Sequence, residues 1–172
     1  MKLTYVFPVA LLLMSGDAVT GAALPCPSMT NSGAHRLIEA TCRDLRFKLA
    51  KVPGATVRSG GTSFVDPRFG CTREGCVLKL TGSFDALKDQ PSPDNWLGQY
   101  LETKGWTRTL THDTDGPDGT SYALHQPGAV CIVEGRWNHW HDDSGEGHTE
   151  DPYEITVSCG AAERSPPQPP HW

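Results

Sequence analysis

The sequence predicts an α+β fold: a two-layer sandwich in which an antiparallel sheet of about four to five strands carries two helices on one face and is stabilised by disulfides. Three observations lead there. Two segments with helical periodicity precede a run of segments that alternate apolar and polar residues. Two strand pairings, each read from its own residues, place the same side chains on one face. Six cysteines, at 26, 42, 71, 76, 131 and 159, form an even set of the kind that exported chains oxidise.

The chain opens on "MKLTYVFPVALLLMSGDAVTGAA", with one lysine, an apolar run from Val6 to Met14 and a small-residue end. This is the grammar of a secretory signal, residues 1–23, with cleavage near Ala23 and a periplasmic or extracellular destination. The run falls short of the ~20 apolar residues of a membrane helix, so no membrane insertion is expected. A lipid anchor on Cys26 is opposed by Pro25, which stands where such signals put a small residue. Removing 23 of 172 residues leaves 149, enough for one domain with a workable core. That domain is expected over residues 24–160. The end, "AAERSPPQPPHW", has too many prolines and too few apolar residues to join a core, so 161–172 reads as a disordered tail.

The removed segment carries Lys2 and Asp17, so the formal charge stays at -5. Asp142, Asp143, Glu146, Glu150 and Asp151 match that number alone, which leaves the rest balanced and removes the long-range attraction that nucleic-acid binding needs.

A helix is expected from about Gly33 to Lys51, with Ser32 as its cap. Ala34, Leu37, Ile38, Cys42, Leu45 and Leu49 recur at helical spacing, while Arg36, Arg43, Arg46, Lys48 and Lys51 make a solvated face. Pro53-Gly54 stops it. A glycine-rich connection follows, with one short extended piece around Thr62 to Val65. "CVLKLTGSF" alternates as a strand, with Cys76, Leu78 and Leu80 on one face. In "SPDNWLGQYLETKGW" Ser92 is the cap, Pro93 the first helical residue, and Gly105 the left-handed stop against which Trp106 folds back.

The remainder reads as a meander: "WTRTLTH", "TSYALHQ", "AVCIVEGRW" and "YEITVSC". A Pro127-Gly128 turn sets Leu124 opposite Cys131 and Tyr122 opposite Val133. In the next pair Cys131 faces Cys159, Val133 faces Val157, Gly135 faces Ile155 and Trp137 faces Tyr153. The two registers agree on the inward set, and they make a Cys131–Cys159 disulfide geometrically natural. Trp137 and Tyr153 are expected in the core. For the other cysteines the expectation is Cys71 with Cys76, clipping a turn, and Cys26 with Cys42, pinning the tail to the first helix.

The "GW" helix end, "DGPDGT" turn and "CIVEGRW" strand together resemble a set of small exported bacterial proteins of unassigned function, over roughly residues 76–159. The resemblance is structural and implies no activity and no catalytic residues.

Residues 138–152 join two paired strands where two to five residues suffice, a length that is functional or disordered. His139, His141 and His148, with Asp142, Asp143 or Glu146, offer an imidazole and carboxylate set suited to Zn or Cu. Gly145 and Gly147 oppose this, since ligands need a fixed backbone, and so acidic a loop can instead keep a hairpin soluble. Trp140, among charged residues, suits partner contact. Asp113, Asp115 and Asp118 resemble a calcium loop but lack its closing glutamate, and Asp-Gly there signals a turn. His125 reads as a half-buried strand residue, and no serine has a hydrolase elbow around it. No catalytic residues are therefore expected. The expected function is that of an exported, non-catalytic binding domain for a protein or small ligand, monomeric and without a cofactor. The alternatives are a divalent metal-binding protein using the 138–152 loop and an exported hydrolase.

Overall fold

The computed structural model describes residues 23–27, 32–87, 91–116, 119–137 and 152–162. Residues 1–22, within the expected signal segment 1–23, and the chain beyond 162 lie outside them.

Helix α1, Ser32–Leu49, buries Ala34, Ile38, Leu45 and Leu49 and keeps all five basic residues exposed, as the helical spacing requires. Strands β1 (Thr56–Val65) and β2 (Thr72–Ser83) form a hairpin. A short turn of helix, α2 (Phe84–Leu87), and then α3 (Pro93–Thr103) follow. Strands β3 (Thr107–Gly116), β4 (Gly119–Gln126), β5 (Ala129–Trp137) and β6 (Pro152–Ala161) complete the chain. All six strands make one antiparallel sheet in the order β1-β2-β6-β5-β4-β3.

The fold is α+β, as predicted, with one strand more than the upper expectation. The extra strand is β1. Its ten residues take in the extended piece expected around Thr62 to Val65, but they carry Ser59, Gly60, Gly61 and Ser63 and nearly all are exposed, so neither β propensity nor alternation marks the full strand. Its pairing with β2 across two register shifts makes it a strand. The predicted "CVLKLTGSF" strand likewise begins earlier, at Thr72.

The α3 stop is as read: Gly105 has φ 83°, and the Lys104, Gly105 and Trp106 N–H groups close on the carbonyls of Leu101 and Glu102. Trp106 is buried against this last turn. The start differs in one detail. Ser92 makes no side-chain cap; its carbonyl instead accepts from the N–H groups of Asn95 (3.1 Å) and Trp96 (3.3 Å).

The β4/β5 and β5/β6 registers hold at every position predicted. A third, between β2 and β6, sets Cys76 opposite Cys159, Leu78 opposite Val157 and Leu80 opposite Ile155. The three ladders put one apolar set under α1 and α3, and with Leu97, Leu101, Tyr122 and Tyr153 it forms the main core. Where β2 meets β6 the backbones approach closely: a Cβ on Gly75 would lie 1.9 Å from the Cys159 carbonyl oxygen. The two helices are tied at their surfaces, the Tyr100 hydroxyl donating to the Asp44 carboxylate and Lys104 Nζ lying 3.7 Å from the same group.

Cys131 is bonded to Cys159. The other two pairings are corrected. Cys26 is bonded to Cys71 and Cys42 to Cys76, not Cys71 to Cys76 or Cys26 to Cys42. The reason is the length of β2. Cys71 immediately precedes it and Cys76 lies within it, and five steps of extended chain carry them about 16 Å apart. Cys76 then faces α1, whereas the segment 23–27 runs beside the start of β2, Cys26 N–H donating to the Thr72 carbonyl at 2.8 Å. The last strand runs on past residue 160. Ala161 pairs with Ala129, and buried Ala162 donates to the Gly128 carbonyl at 3.0 Å. Among the described residues no helix is long and apolar enough to cross a membrane.

Candidate functional site: a cleft at the β5 exit and a buried charge cluster

His139, Trp140, His141, Asp142, Asp143, Glu146 and His148 lie outside the described residues, as does Asp118. Among the described residues no group of three or more His, Cys, Asp or Glu side chains is placed to hold a metal ion. Asp113 and Asp115 sit instead on β3, which borders a cleft of about 540 Å3.

That cleft opens on the helix side of the sheet, at the end where β5 leaves at Trp137 and β6 begins at Pro152. Its walls come from the first turn of α3 (Ser92, Asp94, Asn95), from Phe84 and Trp137, and from Arg108, Asp113, Thr114, Asp115 and Thr120 of β3 and β4. A volume of this size suits a small-molecule ligand.

Each wall follows from local structure. In β3, the pairs Thr109 with Ala123 and Thr114 with Ser121 leave residues 110–113 opposite Tyr122 alone, a wide bulge that re-aims its side chains. Below the bulge the Arg108 guanidinium lies 4.4 Å over the Tyr122 ring, and its Nε is 3.5 Å from Asp113 Oδ1, an ion pair too long for a hydrogen bond. The Tyr122 hydroxyl in turn donates to the backbone carbonyl of Asp94, fixing the start of α3 against the sheet. Trp137, expected in the core, is only partly buried and stands edge-on to Phe84 at 6.2 Å; Tyr153 beside Phe84 is the buried partner. The correction has a simple cause. Trp137 is the last residue of β5, beyond the cover of α3.

Asp94 is the unusual wall residue. It is 5 % exposed, and its Oδ1 is buried without a hydrogen-bond partner among the described residues. Burial first, and the nearby Asp115 charge as a smaller cause, push its carboxyl above the usual range, although the N–H groups of Asp94 and Asn95 act the other way.

A second cluster lies on the opposite face of the sheet, and nothing in the sequence singled it out. Asp66, fully buried, accepts from Arg73 Nε at 2.7 Å and from the N–H groups of Arg68 (2.9 Å) and Phe69 (3.3 Å), and pairs with His112 Nε2 at 3.1 Å. Burial alone would raise its carboxyl, but the bonds from Arg73, His112 and the Arg68 N–H, with the Arg73 charge, hold it below the usual range. Arg73 also donates to the Ala161 carbonyl at 2.8 Å. His125 stacks near His112, ring centroids 6.4 Å apart; burial, then the His112 and Arg73 charges, lower its pKa against the pull of Asp66.

Asp66 follows β1 and His112 belongs to β3, at opposite edges of the sheet. Flat, those edges would be about 24 Å apart. The 66–70 turn and the β3 bulge therefore fold toward each other across this face, over a small apolar cluster of Ala123, Val130, Ile132 and Ala162 with Phe64. The cluster resembles a catalytic Asp–His pair, but the Nδ1 atoms of His112 and His125 are buried without hydrogen-bond partners among the described residues, so no described hydroxyl bonds either nitrogen. What it does is close the second layer. The sequence held one local signal of it: Asp66-Pro67 and Gly70 mark a turn in which an aspartate binds the backbone N–H groups that follow.

No family model, curated protein or solved structure matches this chain.

Proposed function

We propose that the chain is an exported, non-catalytic binding domain and that the cleft between the start of α3, the β3 bulge and Trp137 takes a small polar ligand. The observation that carries this reading is the cleft itself: about 540 Å3, walled by polar side chains on one side and by Phe84 and Trp137 on the other. Sites that bind without reaction combine such aromatic area with a few fixed polar groups. The three disulfides suit an oxidising compartment. Strand β5 ends at this same end of the sheet, and its last residue, Trp137, is a wall of the cleft.

The test is a screen of the mature chain, residues 24–172, against a library of small polar metabolites by two-dimensional amide NMR. Binding should move the resonances of Asn95, Thr120 and Trp137 together, and Trp137→Ala should weaken every hit. Hits that leave these residues still, or hits that the protein converts to new compounds, would overturn the reading.

A further inference from the structure

Resting on that reading, we infer that the cleft receives a cationic head group, an organic ammonium or guanidinium ion, held by the Asp94 and Asp115 carboxylates against the face of Trp137.

The first ground is the count of charges in the walls. Three carboxylates, Asp94, Asp113 and Asp115, face one guanidinium, that of Arg108. Arg108 is already committed to Asp113 at 3.5 Å and to the Tyr122 ring at 4.4 Å. Among the described residues Asp94 and Asp115 are left without a cationic side chain in the cleft walls, so the formal charges of those walls sum to -2.

The second ground is independent of the first. Asp94 is 95 % buried, yet its Oδ1 has no hydrogen-bond partner among the described residues. The N–H groups of Asp94 and Asn95 serve the carboxylate in part, but an oxygen buried in that condition costs the fold free energy, because nothing replaces the solvation it has lost. A cation seated at the cleft wall supplies the counter-charge. It also offsets the burial that chiefly raises the Asp94 carboxyl and the smaller repulsion from Asp115. The third ground is the apolar wall. Trp137 is the aromatic side chain that attracts a cation best, and Phe84, edge-on to it at 6.2 Å, keeps one side of the space dry. An anion would meet two unbalanced carboxylates. A sugar would satisfy the aromatic wall and leave the charge as it was.

The test is isothermal titration of the mature chain with three probes of similar size: propylammonium or ethylguanidinium as the cation, methyl glucoside as the neutral polyol, and glutarate as the anion. The cations should bind, more weakly as salt rises, and glutarate should not. Asp94→Asn and Asp115→Asn should each weaken the cation about tenfold. Asp115 is exposed, so its variant tests the inference even if the Asp94 variant fails to fold. Methyl glucoside binding better than either cation, with its affinity lost in Trp137→Ala, would overturn the cationic assignment and leave the cleft a ligand site. Cation affinity unchanged in Asp115→Asn would also overturn it. Failure of all three probes to bind would remove the assignment, while the metabolite screen separately decides the cleft.

Discussion

Asp66 shows how much of the second layer one side chain organises. It orders its own turn through two N–H groups, neutralises Arg73, and fixes His112 at the far edge of the sheet. Removing the carboxylate leaves Arg73 buried without its counter-ion, a change of the kind that costs about 3–5 kcal/mol. Asp66→Ala should therefore lower the urea-unfolding free energy by that order, and a loss below about 1 kcal/mol would show that the cluster does not hold the layer. In sequence this stretch reads only as part of a glycine-rich connection, although Asp66-Pro67 is a turn signal. The partnership with His112 was not legible, because it joins positions 46 apart through a bulge that no periodicity records. Asp94 was legible only as a favourable charge at a helix start. That it is buried, and lacks a partner on one oxygen, depends on Tyr122 drawing the first turn of α3 down onto the sheet.

At the scale of elements, the central strands were readable because their side chains alternate and their turns are short, so each register has one solution that buries the apolar set. The β1/β2 hairpin was not, since β1 is exposed along most of its length and contributes Val57 and Phe64 as its partly buried apolar residues. Missing the early start of β2 is what misplaced two cysteine pairs. The Cys42–Cys76 bond joins α1 to β2 across a separation of 34 residues, and in the chain-entropy account its removal costs about 4 kcal/mol. A Cys42→Ala, Cys76→Ala double variant should lose about that much stability and speed amide exchange in α1 more than in β5. Peptide mapping of the oxidised protein that linked Cys71 to Cys76 would contradict the whole β2 placement.

For the whole molecule, two buried carboxyls and the half-buried His125 shape how stability responds to pH. His125, with its pKa below the ordinary 6.5, adds stability that is complete above 6.5 and is lost as pH falls through its lowered folded value. His112, Arg73 and Asp66 are the charged and titratable groups that face it. Asp66, held below 3.8, contributes above 3.8 and loses that contribution only in stronger acid. Asp94, raised, has the opposite sign: its contribution is complete below 3.8 and is lost as pH rises through its folded value. Urea midpoints should thus fall from pH 7 toward pH 5 and fall again below pH 4, and His125→Asn should flatten the first decline. A His125→Asn variant whose midpoint falls as steeply as the parent's between pH 7 and pH 5 would contradict the assignment to His125. The overall topology was the least legible property. Placing the first hairpin beside the last strand needs the β2/β6 ladder, whose partners lie more than 70 residues apart at every pair except the last.

That ladder also has a chemical consequence for biogenesis. Cys76, Cys159 and Cys131 stand abreast on three adjacent strands, so in the reduced chain the thiol of Cys159 has a directly opposed neighbour on each side. A bond to the wrong neighbour would strand Cys42 and Cys131 as odd sulfurs and leave the first helix untethered, yet it would preserve the strand alignment. Such an isomer is a trap that only thiol–disulfide exchange can release. Recovery from the reduced state should accordingly rise when a disulfide isomerase accompanies the oxidant, and the trapped species should carry a Cys76–Cys159 linkage.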